Sequence, residues 1–149
     1  MKQSFDLEKL IIDVFAPQPG EKVLVMADLP HGELADHDKW AERREMAKEW
    51  HSTFERLASR LGLSVHPLLT YPATGANNGP LPQEGEIDGQ PVRFDDILGD
   101  TNIVVALTGY SASAPLIGFT QALPNLRAAS MPKVMRSMEK MNSVLRSYS

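Results

Sequence analysis

Twelve consecutive residues, Tyr71-Pro72-Ala73-Thr74-Gly75-Ala76-Asn77-Asn78-Gly79-Pro80-Leu81-Pro82, carry the densest run of groups able to hydrogen-bond a ligand outside regular structure. The three prolines lack a backbone donor, and the glycines and asparagines tolerate left-handed backbone, so the stretch reads as loop throughout rather than helix or ladder strand. Thr74, Asn77, Asn78 and the Gly75 amide then form the rim of a binding crevice. A capped surface loop is the plainer reading of the same residues. If the crevice reading holds, replacing both asparagines with alanine weakens a ligand and leaves the unfolding midpoint nearly unchanged.

Two further segments carry groups of this kind. Asp28-Leu29-Pro30-His31 offers a carboxylate and an imidazole, and Thr108-Gly109-Tyr110-Ser111-Ala112-Ser113 offers hydroxyls and amides ahead of a helix beginning near Pro115. A helix amino terminus suits a carboxylate or phosphate through its unpaired amides and dipole, although Ser113 as the helix cap explains half of that pattern. The chemistry implied is recognition. Asp28 has no companion carboxylate, so it makes neither a glycosidase pair nor a metal cage. Ser111 or Ser113 opposite His31 lacks both a G-x-S-x-G elbow and an orienting third group. His31, Glu33, Asp36, His37 and Asp38 match no zinc or calcium spacing and read as a helix-opening loop in which Asp36 or Asp38 is the cap. No dinucleotide or phosphate-loop glycine pattern occurs. The expected ligand site is Asp28, His31, Thr74, Gly75, Asn77, Asn78, Thr108, Tyr110, Ser111 and Ser113, with no catalytic residue, metal or cofactor.

The elements that position these loops follow from periodicity. Leu7, Leu10, Ile11 and Val14 form one helical stripe, capped by Ser4 or Asp6 and stopped by Pro17-Gln18-Pro19-Gly20. Lys22 to Ala27 is apolar enough for burial on both faces of a parallel sheet. From Asp38 to Leu61 the pattern predicts a long helix with Trp40, Ala47, Trp50, Phe54, Leu57, Ala58 and Leu61 in the core. Glu42, Arg43, Arg44, Lys48 and Glu49 fall on its solvated side, and Gly62 ends it as a left-handed cap. His51 and His66 read as packed or half-exposed histidines. Leu63 to Leu69 and Ile103 to Leu107 are the second and third strands, and Leu126 to Ala129 the fourth. Turns at Gly85, Asp88-Gly89 and Pro91 precede a helical turn over Phe94 to Leu98. Pro132 opens a last helix with Val134, Met138, Met141 and Leu145 on one face.

This alternation predicts a single α/β domain over residues 1–149, three-layered and Rossmann-like, with a mainly parallel sheet and right-handed crossovers. Ligands in such sheets sit beyond the carboxyl ends of the strands, which is where the three loops converge.

The chain of 149 residues suits one core burying roughly two thirds of its unfolded surface. A net charge of -4 gives no field for nucleic acid, and the absence of cysteine removes disulfides, thiolate zinc sites and cysteine nucleophiles. No cleavable leader and no membrane-spanning apolar run is present, so the cytoplasm is the expected location. Met131, Met135, Met138 and Met141 would give an adaptable surface for a homo- or hetero-oligomer, or would simply pack in the core.

Phe15-Ala16-Pro17-Gln18-Pro19-Gly20-Glu21-Lys22-Val23-Leu24-Val25, the string Tyr71-Pro72-Ala73-Thr74-Gly75-Ala76-Asn77-Asn78, the strand Ile103 to Leu107 and Ser111-Ala112-Ser113-Ala114-Pro115-Leu116 together resemble the amino-terminal part of leucyl aminopeptidase-like proteins related to aminopeptidase T. The resemblance runs to about Lys140. In that family the two-metal site of Glu, His, Tyr and Asp ligands belongs to the carboxyl-terminal part, outside these residues, so the resemblance carries over no catalytic residue. It implies a non-catalytic domain that binds a peptide or presents it to a partner enzyme, for instance in peptide natural-product biosynthesis. The alternative is the amino-terminal domain or a fragment of a metal-dependent aminopeptidase. Amide, hydroxyl and main-chain groups suit a peptide backbone, as does a free sheet edge.

Overall fold

The computed structural model describes residues 7–130. The expected caps Ser4 and Asp6, the helix opened by Pro132 and the Met131, Met135, Met138 and Met141 surface lie outside the described residues. Among those described, the helices are α1 (Leu7–Phe15), α2 (Asp38–Leu61), α3 (Phe94–Gly99) and α4 (Ser113–Ala122). The strands are β1 (Lys22–Leu29), β2 (Ser64–Val65), β3 (Leu69–Pro72), β4 (Glu84–Ile87), β5 (Gln90–Arg93), β6 (Ile103–Ala106) and β7 (Arg127–Ser130). They form one mixed, mostly parallel sheet in the order β5-β4-β3-β1-β6-β7, with β2 also on β1. No described helix is long and apolar enough to cross a membrane.

β1 is central because every residue from Val23 to Asp28 is buried. Val23, Val25 and Ala27 pack with α1 and with Met46, Trp50, Phe54 and Leu57 of α2. Leu24 and Met26 join a second cluster with Phe94 and Leu98 of α3 and Leu116 of α4. One strand therefore serves two cores, which is why its sequence shows no polar alternation.

The expected second strand is split. Ser64 and Val65 pair with Lys22 and Val23, and after His66-Pro67-Leu68 the pairing resumes with Leu69 opposite Met26. Pro67 has no amide to give to a ladder. Tyr71 and Pro72, expected in the loop, instead close β3 opposite Asp28 and Leu29. Pro72 is tolerated because the Ala73 amide, not its own, donates to the Leu29 carbonyl, and the β4 ladder ends at Thr70.

Sequence reading gave turns where β4 and β5 form an antiparallel hairpin. Asp88 and Gly89 are its two-residue turn, with φ of 52° and 79°, the left-handed pair that matches strand twist. Gly85 is not a turn residue. It lies in β4 with its Cα against Leu69, where an added Cβ would meet Leu69 Cδ2 at 2.8 Å.

α2 keeps its expected bounds and ends at Gly62, whose φ is 76°. Its cap, however, is neither Asp36 nor Asp38: His37 Nδ1 accepts from the Trp40 amide at 3.2 Å. Asp36 is held instead in a two-pronged pair by Arg44, at 3.0 and 2.7 Å. Arg43, expected on the solvated side, is 4% exposed.

Candidate functional site

Asp28 stands at the carboxyl end of β1, 1% exposed, and both its oxygens are engaged. Oδ1 accepts from the Trp40 indole at 3.0 Å and from the Gly109 amide at 2.7 Å, and Oδ2 accepts from the Tyr110 amide at 3.1 Å. A buried carboxylate of this kind is stabilised by charge-assisted donors. It fastens α2 and the loop after β6 to the end of β1. Neighbouring Tyr71 is buried edge-on to Phe94, ring centroids 5.6 Å apart. Burial, and then the charge of Asp28, push its phenol well above the ordinary range, so it stays neutral.

The loop from Ala73 folds back onto this hub. Asn77 Oδ1 accepts from the Ser111 amide at 2.9 Å, and Asn78 Oδ1 accepts from Ser111 Oγ at 3.1 Å and from the Ala114 amide at 2.9 Å. The Asn78 amide donates to the Ser111 carbonyl at 2.8 Å. Ser113 is not the cap of α4. The cap position is Ala112, and three borrowed acceptors satisfy the helix start: Ser130 Oγ for the Ala112 amide, Ser111 Oγ for Ser113 and Asn78 for Ala114. Those amides are already matched within the fold. What the asparagines still offer outward is their side-chain NH2 groups.

Against the expectation that these asparagines bear only on a ligand, Asn78→Ala should lower stability by roughly 2 kcal/mol, from two lost hydrogen bonds and a left-handed φ of 62° that alanine resists. Asn78→Asp keeps the acceptor and adds charge at a helix amino terminus, so it should retain most of the wild-type stability. Urea unfolding decides between them: equal losses in the two variants would remove the capping role.

The remaining expected site residues fall around the same hub. Thr108 is fully buried and donates from Oγ1 to the Tyr110 carbonyl at 2.6 Å. Tyr110 packs edge-on to Trp40 with centroids 5.8 Å apart. Thr74 Oγ1 donates to the Ala76 carbonyl at 2.8 Å, and Gly75 turns the loop with φ of 81°. His31 Nε2 lies 2.8 Å from the Ala73 carbonyl. The three loops thus meet, joined by their own hydrogen bonds. His51 and His66 likewise bind carbonyls, those of His66 and Asp100. Among the described residues no three His, Asp or Glu side chains gather closely enough to hold a metal ion.

Open space lies beside the hub rather than within it. One cavity of about 330 Å³ is lined by His31, Tyr71, Glu84, Glu86 and Pro91. Another, of about 420 Å³, lies on the first two turns of α2 and includes Arg43 and Tyr110. A third, of about 480 Å³, runs along β7 between α1 and α4. Arg43 is the residue that sequence reasoning missed. Its signal was spacing: Trp40, Arg43, Ala47, Trp50 and Phe54 follow one another at three and four residues, which puts Arg43 on the buried stripe. Comparison with protein-family models, with curated proteins and with solved structures yields no match to this chain.

Proposed function

We propose that this chain is a non-catalytic peptide-binding domain, related to the amino-terminal part of aminopeptidase T-like proteins, that presents a bound peptide to a partner enzyme. The observation that carries this reading is the edge of β7, on which no described strand pairs. The Arg127 amide donates to the Asn102 carbonyl, which turns Arg127 and Ala129 toward β6. Alternation then turns the backbone groups of Ala128 and Ser130 away from β6, to that unpaired side, with Ala128 half-buried and Ser130 buried. Beside this edge runs the 480 Å³ groove, with Val14, Phe15, Leu116, Ile117 and Leu126 in its wall.

An extended peptide laid there gains ladder hydrogen bonds from the edge and apolar contacts for alternate side chains. The opposite edge, β5, carries Pro91 and Arg93, residue types that blunt strand addition. Arg127 steadies the receptive edge by donating to Glu21 at 2.8 and 3.0 Å and to the Phe15 carbonyl at 2.9 Å. That hydrogen bond to Arg127 holds the Glu21 carboxyl below its usual range against the opposing effect of burial. In fold terms the reading is a three-layer, Rossmann-like domain, which the two separate core clusters fed by alternate residues of β1 support.

The test is a spectroscopic titration of isotope-labelled protein with a set of synthetic apolar heptapeptides, followed by mass spectrometry of the peptide. Saturable shifts at the Ala128 and Ser130 amides with the peptide recovered intact are expected. Ala128→Pro, which deletes one outward donor, should weaken binding about tenfold, a loss typical of a ligand hydrogen bond with the strain of proline added. Binding that leaves β7 undisturbed, or peptide returned cut, sinks the proposal.

A further inference from the structure

Arg43 combines burial with an Nε that lacks a partner among the described residues. It is 4% exposed, its Nε has no hydrogen-bond partner, and it makes no ion pair within 4 Å among the described residues. A buried guanidinium nitrogen is costly unless something accepts from it. Asp28, whose charge acts on it, already receives three donors, and Glu42 attracts it without a hydrogen bond. Burial pulls the Arg43 pKa below the ordinary arginine value, and those two carboxylates offset the pull only in part. Arginine nevertheless remains charged.

Arg43 lines the 420 Å³ cavity together with His37, Lys39, Trp40, Gly109 and Tyr110. The Lys39 ammonium has no ion pair among the described residues, and the amino-terminal end of the 24-residue α2 adds its positive dipole. The opposing charge in that first turn is Asp38, since Asp36 is held by Arg44.

We propose that this cavity binds a small molecule through an oxyanion, a carboxylate or a phosphate, gripped by the Arg43 guanidinium and the Lys39 ammonium and flanked by the Trp40 and Tyr110 rings. A planar guanidinium presents paired donors matched to two oxygens of one such group. The site is separate from the β7 edge and stands independently of the peptide reading.

The chain holds two tryptophans, which makes the experiment selective. The Trp40 indole is bonded to Asp28 at the cavity wall, whereas Trp50 is fully buried in the core. Labelled protein is titrated with inorganic phosphate and, separately, with benzoate, with sodium chloride holding ionic strength constant. A saturable shift of the Trp40 indole signal, with Trp50 unmoved, is expected with at least one of them. Saturation by phosphate alone assigns a phosphoryl group, by benzoate alone a carboxylate, and by both a general oxyanion site. Arg43→Met should weaken that binding at least tenfold, as loss of charged hydrogen bonds does. Lys39→Ala, at an exposed position where folding is not in question, should weaken it about threefold. A linear shift shared by both indoles, or affinity unchanged in Lys39→Ala, overturns the proposal.

Discussion

Asp28→Ala is expected to lower the stability of the fold by about 4 kcal/mol, because two buried donors and a half-buried one lose their acceptor at once and each orphaned group costs about 1–3 kcal/mol before relaxation. The donors are the Trp40 indole and the Gly109 and Tyr110 amides. Arg43 also loses the stronger of its two attracting charges. The thermal midpoint should fall by on the order of 10 °C. Asp28→Asn should lie between: one oxygen still serves Trp40 and Gly109, but the new NH2 faces the Tyr110 amide. Urea unfolding of the three proteins gives the answer. A loss below about 1 kcal/mol for the alanine variant would mean that water replaces the carboxylate, and that Asp28 is not the fastening of this end of the sheet.

Gly109→Ala should destabilise by about 2–3 kcal/mol, as overpacking of a filled site does. A Cβ at Gly109 would lie 2.9 Å from Trp40 Cε2 and Nε1. The indole cannot swing aside without giving up its hydrogen bond to Asp28. The backbone is not the obstacle, since Gly109 is not among the residues with positive φ. A control is available in Gly118, in α4, where a Cβ meets nothing within 4 Å, so Gly118→Ala should be neutral or stabilising. The decisive measurement is a double-mutant cycle with Trp40→Phe. If the clash with the indole is the cause, Gly109→Ala should cost less in the phenylalanine background. An undiminished cost there would place the cause elsewhere in the loop.

Several elements could be read in advance because their signals are local. α2 announces itself by helical spacing and by Gly62, and β1 and β6 by unbroken apolar runs. Convergence of the three loops followed from the parallel sheet that those strands build. The hairpin β4–β5 was lost because Glu84, Gly85 and Glu86 are poor strand formers, and their pairing depends on the neighbouring β3 rather than on their own preference. Tyr71 and Pro72 misled for the opposite reason: proline forbids a donor, but here the ladder asks for none. Asp28, Asn77, Asn78, Thr74 and Ser111 hydrogen-bond within the fold, and the direction they face has no signature in the chain. The bonds from Asp28 to Gly109 and from Asn78 to Ala114 join residues 81 and 36 positions apart. Arg43 was hidden by its charge, which outweighed its spacing.

Asp28 has a further consequence for how the sheet assembles. From Val23 to Ala27, and from Ile103 to Ala106, β1 and β6 are buried at every position. A slip of two residues would keep each side chain on its face and bury almost the same apolar area, so hydrophobicity alone hardly separates the native alignment from its misaligned neighbours. Such a slip would carry the Gly109 and Tyr110 amides about 7 Å along the strand, leaving a buried carboxylate with the Trp40 indole alone of its three donors. The penalty falls only on the wrong alignments, so one acidic residue in an otherwise greasy strand acts as a key that admits a single pairing.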